Sequence, residues 1–444
     1  MSATTVEERA RGVRAAARVL AACPGRVREA ALEEVARALE AADHQIEEAN
    51  QIDCARAREA SLADPLQRRL SFGPEKRRQA LDGVRSVAAL PDPVGKILER
   101  RELDQGLLLT RRTTPIGVIA MIFESRPDAL LQIASLALKS GNGVILKGGS
   151  EALESNRVLA RIVHDAAVSA GIPSGWLALI ETRQDVGELL RLDAWIDLII
   201  PRGSNDFVRF IMDNTRIPVL GHADGICHVY LDRDADPAVA EAVTVDAKTQ
   251  YEAVCNAAET LLVHQDALSR VFPGVARALQ DRGVELRGCP RTRAVLPGIG
   301  VASDEDWGAE YLDRILAVRV VDSLGEAVDH INTWGSGHTD AIVTTDGDRA
   351  RRFIDGVDSA SVMWNASTRF ADGFRYGLGA EVGVSTTRIH ARGPVGVEGL
   401  LSSKWILAGA GHIVADYATG LRSFIHRDLS LHEGSCCGDG EGDA

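Results

Sequence analysis

Leu32, Val35, Leu39, Ala42 and Ile46 recur at alternating intervals of three and four residues. That is the apolar stripe of an amphipathic helix, set in an Ala-, Glu- and Arg-rich stretch that covers residues 1–90. From Pro115 the texture changes to PIGVIAMIF, a helical DALLQIASLALKSG closed by Gly141, GVILK, and a second helical segment through Ala170. WIDLIIP (195–201), the helical NDFVRFIMDN and the alternating strand GICHVYLD (225–232) continue the series. Beyond Pro237 the strand candidates are TLLVH, LAVRVV, AIVTT and SASVMW, separated by helix-like sequence such as LSRVFPGVARALQ. Short apolar runs between amphipathic helices predict βαβ units and parallel, doubly wound sheets. The expected fold class is therefore α/β, with two such domains joined near 232–237.

Two segments break the pattern. RELDQGLLLTRRT (101–113) has apolar residues flanking a central glycine between charges, as in an extended arm or hairpin. A free hairpin exposes a sheet edge, so a partner subunit is a candidate to cover it. SCCGDGEGDA at the far end is rich in Gly and Asp and is expected to be disordered.

With 444 residues, 45% hydrophobic and 25% charged, the chain is an ordinary globular protein of two or three domains, and disorder throughout is excluded. A formal charge of −13 with both signs interspersed argues against nucleic acid or an anionic membrane as partner and favours small molecules. The start, MSATTVEERARGVRAAARVL, is charged, with no apolar signal-peptide core, and no spanning run follows, so the cytoplasm is the expected location. The seven cysteines are Cys23, Cys54, Cys227, Cys255, Cys289, Cys436 and Cys437. Their odd number, their separation and the lack of CxxC support neither a disulfide framework nor a metal site.

GxGxxG, Walker, HExxH and GxSxG patterns are missing. LKGGSE (146–151) does stand where a strand gives way to a helix, the place where doubly wound folds bind ligands. Lys147 there could meet a ribose hydroxyl or a phosphate, while Gly149 and Ser150 let a ligand approach the backbone; the plain alternative is a strand-to-helix turn that uses glycine for its dihedrals. PRGSND (201–206) is a second such turn, in which Gly203 and Ser204 leave amides free for a pyrophosphate or Ser204 simply caps the helix.

Cys255, in YEAVCNAAETLLVH, is either a buried small hydrophobe or a nucleophile. It is better placed than the other cysteines, just after the domain junction, among small residues, with Lys248, Thr249, Gln250 and Asn256 nearby and a strand following. Cys227 sits inside a strand and reads as core. In NASTRFADGFRYGLGAE (365–381), Asn365, Ser367, Thr368, Arg369 and several glycines follow a strand and suit capture of a polar, anionic small molecule. HARGPVGVEGL is similar in tone, and His390 in it serves equally well as a structural histidine.

Together PIGVIAMIFESRPD, GNGVILKGGSE, IDLIIPRGS, GICHVYLD, AKTQYEAVCNAAETLLVH, NASTRFADGFRYGLGAE and HARGPVGVEGL resemble, in order and spacing from about residue 5 to 420, the glutamate-5-semialdehyde dehydrogenases, or γ-glutamyl phosphate reductases, of the aldehyde dehydrogenase superfamily. The resemblance implies an aldehyde dehydrogenase-like fold: a cofactor-binding domain (1–98 and 115–232), a catalytic domain (233–402) and an oligomerisation arm (99–114 and 403–420), with 421–444 left as a tail expected to be disordered. It implies that Cys255 is the nucleophile, that Lys147 lies at the adenosine ribose, that Gly203 and Ser204 face the pyrophosphate, and that Glu310 in AEYL holds the nicotinamide ribose. It makes Arg126, Asn256, Asn365, Ser367, Thr368 and Arg369 the expected substrate contacts and a homodimer or larger homo-oligomer the expected assembly.

The implied reaction is reduction of L-glutamyl 5-phosphate by NADPH through a cysteine thioester, as the second step of proline biosynthesis. NADPH is not distinguished from NADH, since Lys147 could contact either ribose, and transient contact with the kinase that makes the acyl phosphate is left open. Where oxidising relatives carry a water-activating glutamate, the aligned residue is Val219; without that base an acyl-enzyme is kept for phosphate. Arg126 stands in the place of the superfamily's oxyanion asparagine. Asp128 and Asp246 replace expected asparagines and Glu252 an expected proline. A coenzyme A-acylating relative and a non-catalytic binding protein with this fold are the alternatives.

Overall fold

The computed structural model describes residues 5–124, 126–221 and 224–431. Five helices open the chain: α1 (Val6–Leu20), α2 (Gly25–Ala41), α3 (Asp43–Glu59), α4 (Asp64–Leu70) and α5 (Pro74–Ala89). The apolar stripe of Leu32 to Ile46 thus crosses a helix boundary. Ala42 leaves the helical region (φ −97°, ψ 13°), and Asp43 opens α3 while its carboxylate takes the Arg77 guanidinium at 2.6 Å. Periodicity alone does not register such a break, because apolar spacing is nearly preserved across it.

β1 (Ile97–Asp104) and β2 (Leu107–Pro115) form the expected hairpin. Next come β3 (Val118–Phe123), α6 (Pro127–Lys139), β4 (Gly143–Lys147), α7 (Leu153–Ser169), β5 (Leu177–Ile180), α8 (Arg183–Leu189), β6 (Leu198–Arg202) and α9 (Asn205–Asp213). Their strands build a parallel sheet in the order β5-β4-β3-β6. Every residue of β3 is buried, and alternate side chains feed two cores: Ile119, Met121 and Phe123 pack with α6 and α7, while Val118, Ala120 and Ile122 pack with α1 and α8. A strand covered on both faces needs no polar side, which is why VIAMIF is continuously apolar.

β7 (Cys227–Leu231), α10 (Pro237–Thr249), β8 (Ala258–His264), β9 (Glu285–Gly288), β10 (Gly300–Val301), β11 (Ile315–Val321), β12 (Thr339–Val343) and β13 (Ser361–Trp364) supply a second sheet. Its order is β10-β9-β11-β8-β7-β12-β13, parallel throughout. Although GICHVYLD alternates in sequence, all five residues of β7 are buried, because β7 is an interior strand with Val229 and Leu231 in one core and Tyr230 in the other.

After β13 the chain returns to the first sheet, where Ala380, Val382, Val395 and Val397 join its core and β14 (Val384–Ser385) pairs with β15 (Gly393–Pro394). β16 (Leu401–Ala408) then runs antiparallel to β2. Within 421–431, expected to be disordered, Arg427 and Asp428 form β17 on β1, held by ion pairs from Arg427 to Glu102 and from Asp428 to Arg101. The rest of that tail, from 432, lies outside the described residues. Among the described residues no helix is long and apolar enough to cross a membrane, and no cluster of His, Cys, Asp and Glu is arranged to hold a metal.

Candidate active site

In the four-stranded sheet β4 and β5 continue to one side of β3 while β6 pairs on the other, so the strand order reverses at β3 and β6. A crevice opens beyond the carboxyl ends of strands at such a point. Both turns singled out in the sequence lie at these ends. Lys147, the last residue of β4, is buried and donates to Gly148 O at 2.5 Å. Gly149 and Ser150 follow it into a 3-10 turn. Beside this turn Asn156 Oδ1 is buried with no hydrogen-bond partner among the described residues.

Gly203 and Ser204 leave β6 for α9. Ser204 is the N-cap by backbone conformation, yet its side chain makes no capping hydrogen bond. A Cβ on Gly203 would lie 2.9 Å from Phe207 Cδ1 and 3.1 Å from Glu124 Cδ, so any side chain there would have to push the Phe207 ring and the Glu124 carboxyl aside. Glu310, from the segment before β11, reaches the same end: its carboxylate accepts from Asn205 Nδ2 at 2.7 Å and from Gly225 N at 3.0 Å. A glycine turn opening a helix, a spare buried acceptor and a carboxylate across the crevice fit a dinucleotide.

Cys255 lies in the turn between α10 and β8, partly accessible. The loop after β13 closes on it. Asn365 adopts φ 51°, and its amide clamps Thr344, with Thr344 N donating to Oδ1 and Nδ2 donating to Thr344 O, each at 3.0 Å. Ser367 Oγ accepts from Arg369 N at 3.2 Å. Thr368 Oγ1 donates to Asn256 O at 2.7 Å, and Asn256 Nδ2 donates to Ala371 O at 2.9 Å. Thr368 therefore ties the loop to the Cys255–Asn256 turn while Asn365 and Ser367 order its start, and Asn256 Oδ1 is left buried without a partner among the described residues.

Arginines surround the thiol. Arg369, oriented by Gln250 Oε1 at 2.9 Å, interacts electrostatically with Cys255, as does Arg202 at the end of β6. Both guanidiniums are held below their usual range, chiefly by burial and then by a neighbouring cation, Arg375 for Arg369 and Arg126 for Arg202. Arg126, Arg202, Arg369 and Arg375 share the site with the carboxylates of Asp128, Asp246, Asp372 and Glu381, and the burial cost that Arg202 and Arg369 still bear is one that an anion at the thiol would offset. Arg126 Nη2 meets Asp128 Oδ2 at 3.0 Å.

The departures from the family's pattern are each answered by arginine: Asp128 by Arg126, Glu252 by Arg314 at 3.3 Å, and Asp246 electrostatically by Arg369. Val219 packs its side chain on the apolar cluster behind β6, and its backbone bridges Ile199. Arg202, Arg375 and Gln250 were not singled out as site residues from sequence; Arg202 stood inside the quoted PRGS, and its position at a strand end was the available signal.

A family model described as aldehyde dehydrogenase family matches residues 1–287. Gamma-glutamyl phosphate reductase of Pelotomaculum thermopropionicum is 56% identical over 97% of this chain and 99% of its own, and that of Acetivibrio thermocellus 55% identical over 96% and 99%. The crystal structure of gamma-glutamyl phosphate reductase from Thermotoga maritima aligns with a TM-score of 0.90 at 39% identity, covering 92% of this chain and 99% of that one. An acetylating aldehyde dehydrogenase from Geobacillus thermoglucosidasius, 19% identical with a TM-score of 0.64 over 92% and 97% of the two chains, shares the fold. With a family model over more than half its length and such relatives along nearly all of it, the chain belongs to the aldehyde dehydrogenase family and, within it, to the gamma-glutamyl phosphate reductases.

Proposed function

We propose that this protein reduces L-glutamyl 5-phosphate to L-glutamate 5-semialdehyde and phosphate with NADPH, the second step of proline biosynthesis. The observation that carries the reading is the setting of Cys255 with Arg202 and Arg369, beside the carboxyl end of β6. An acyl phosphate is a strongly anionic substrate with a reactive carbonyl carbon. The arginines bind and orient its anionic groups, and the Cys255 thiolate attacks the acyl carbon, forming the C–S bond as the C–O bond to phosphate breaks.

A bound NADPH supplies a hydride to the thioester carbon. The chain's part is to hold the crevice: Lys147, Gly149 and Ser150 at the adenosine ribose, Gly203 and Ser204 at the pyrophosphate, and Glu310 at the second ribose. The hemithioacetal on Cys255 then collapses, releasing aldehyde and regenerating the thiolate. Val219 offers no base to activate water, so the acyl group is kept for hydride or phosphate.

The hairpin β1–β2 with β16 is the proposed assembly face of a homo-oligomer, since β16 leaves Trp405 and Leu407 more than half exposed. The deciding assay runs the reaction backwards. Glutamate 5-semialdehyde should reduce NADP⁺ faster than NAD⁺, and only with phosphate present. Turnover without phosphate, coenzyme A replacing phosphate, or full activity of Cys255→Ala would each overturn the reading.

A further inference from the structure

We infer that Cys227, a buried thiol on the neighbouring strand, is a positioning residue that fixes the peptide following the nucleophile Cys255. The inference rests on Cys255 being that nucleophile. Cys227 Sγ donates to Cys255 O at 3.2 Å, and the Cys227 side chain has no solvent contact. The C=O and N–H of a trans peptide point in opposite directions, and the described chain contains no cis bond. Holding the Cys255 carbonyl toward β7 therefore aims the Asn256 N–H away from β7 and sets the plane from which the Cys255 side chain departs.

The segment that presents the thiol is pinned residue by residue. Gly225 N donates to Glu310 Oε1 at 3.0 Å, Ile226 N to Ser336 Oγ at 2.9 Å, and His228 N and Nδ1 both to Asp340 Oδ1 at 2.8 Å. Asp340 Oδ2 in turn accepts from Ser359 Oγ at 2.5 Å. Gly225 lies so close that a Cβ on it would overlap the carbonyl oxygen, Cα and Cβ of Cys255. The nucleophile turn rests directly on this strand.

The pairing on the other side is equally specific. Cys227 faces Ala258 and His228 faces Thr260, so Glu259 is the extra residue of a bulge that starts four positions after Cys255. Bulges beside active sites bend a strand and re-aim what precedes it. Burial, with the Asp340 carboxylate next in effect, pushes the Cys227 thiol well up, so it stays protonated and keeps its donor. The bond is a weak one in energy, and its effect is on direction.

The test compares Cys227→Ala, which loses the donor, with Cys227→Ser, which keeps one, in the phosphate-dependent assay of the full-length protein. Cys227→Ala should lower kcat about tenfold with KM for the semialdehyde within about twofold, and Cys227→Ser should recover to within about threefold of wild type. Iodoacetamide labelling of the Cys255 peptide, followed by mass spectrometry, should slow about fivefold in the alanine variant and not in the serine variant.

A kcat for Cys227→Ala within about twofold of wild type, equal impairment of the two variants, or a loss confined to KM would overturn the inference. Should the alanine variant not fold, Cys227→Val, which fills the space without a donor, takes its place against Cys227→Ser by the same criteria. Cys255→Ala in the same assay separates the two readings: its retained activity would sink the covalent mechanism, whereas its inactivity beside a fully active Cys227→Ala sinks only the positioning role.

Discussion

The Lys248 ammonium donates to Glu259 Oε2 at 2.5 Å, and neither side chain touches solvent. Glu259 Oε1 accepts from Leu312 N at 3.3 Å, and the Tyr311 ring centroid lies 5.9 Å from Lys248 Nζ. Burial pushes the carboxyl up and the ammonium down, and each charge opposes the other's shift. The pair ties the end of α10 to the start of β8 on either side of Cys255. Lys248→Met should therefore leave a buried carboxylate without a cation and destabilise the protein by about 3–5 kcal/mol. Replacing both, as Lys248→Met with Glu259→Gln, should recover most of the loss. Denaturant melts of the three proteins decide it, and a single variant that unfolds like wild type would refute the coupling.

The turn at Gly203 can be tested by bulk alone. Phe207 and Glu124 crowd the position, so Gly203→Val should push their side chains and with them the entry to α9. NADPH binding, followed by nicotinamide fluorescence, should weaken by about tenfold or more. Iodoacetamide labelling of Cys255 without cofactor should stay as in wild type. Unchanged NADPH affinity would remove this turn from the cofactor site.

Much of this was readable in one dimension. VIAMIF is apolar throughout and TLLVH is apolar at its centre because their strands have two covered faces, and the turns after β4 and β6 announced themselves by glycine at strand ends. Cys255 was harder. Its sequence neighbourhood fits core or catalyst equally, and the family resemblance, carried by widely separated segments, separated them. Arg202 and Arg375 were harder still: a lone arginine at a strand end or in a loop looks solvated until the chain brings positions 202 and 369 to one thiol, with 126 and 375 beside them. Cys227 read as core and is core by burial, but a thiol's hydrogen-bond direction is not written in hydrophobicity. The break at Ala42 and the short strand β17 escaped notice because both depend on distant ion pairs, Asp43 with Arg77 and Arg427 with Glu102.

His330 sets an acid limit on stability. Its ring is buried against Trp307 and His228, at 5.7 and 5.5 Å between centroids, and neither nitrogen has a hydrogen-bond partner among the described residues. Burial, His228 and Arg319 together pull its pKa down to about 3. The folded state then refuses a proton that the unfolded chain accepts from about pH 6.5 downward. Stability contributed by the neutral ring is complete above that pH and falls by about 1.4 kcal/mol per unit as the pH drops toward the folded value. His330→Leu should flatten the decline of unfolding midpoint between about pH 6.5 and 4.5. An identical slope in the variant would show that other groups dominate acid unfolding.

Arg202 and Arg369, the proposed anion contacts, should oppose stability. Each is a buried or half-buried cation whose burial, and then a neighbouring arginine, outweigh the nearby carboxylates, so the protein without substrate bears chiefly their desolvation. Replacing Arg202 by Met keeps much of the aliphatic packing and removes the charge. The variant should melt at or above the wild-type temperature. The same change removes the proposed charge-assisted contact to the anionic substrate, and the phosphate KM in the reverse reaction should rise about ten- to a hundredfold. Arg369→Gln should act the same way on kcat/KM, with a smaller gain in stability because its Nε also anchors Gln250. Melting curves and phosphate titrations on the same preparations give both readouts. A destabilised Arg202→Met with unchanged phosphate dependence would mean that the guanidinium is structural and that the anion lies elsewhere.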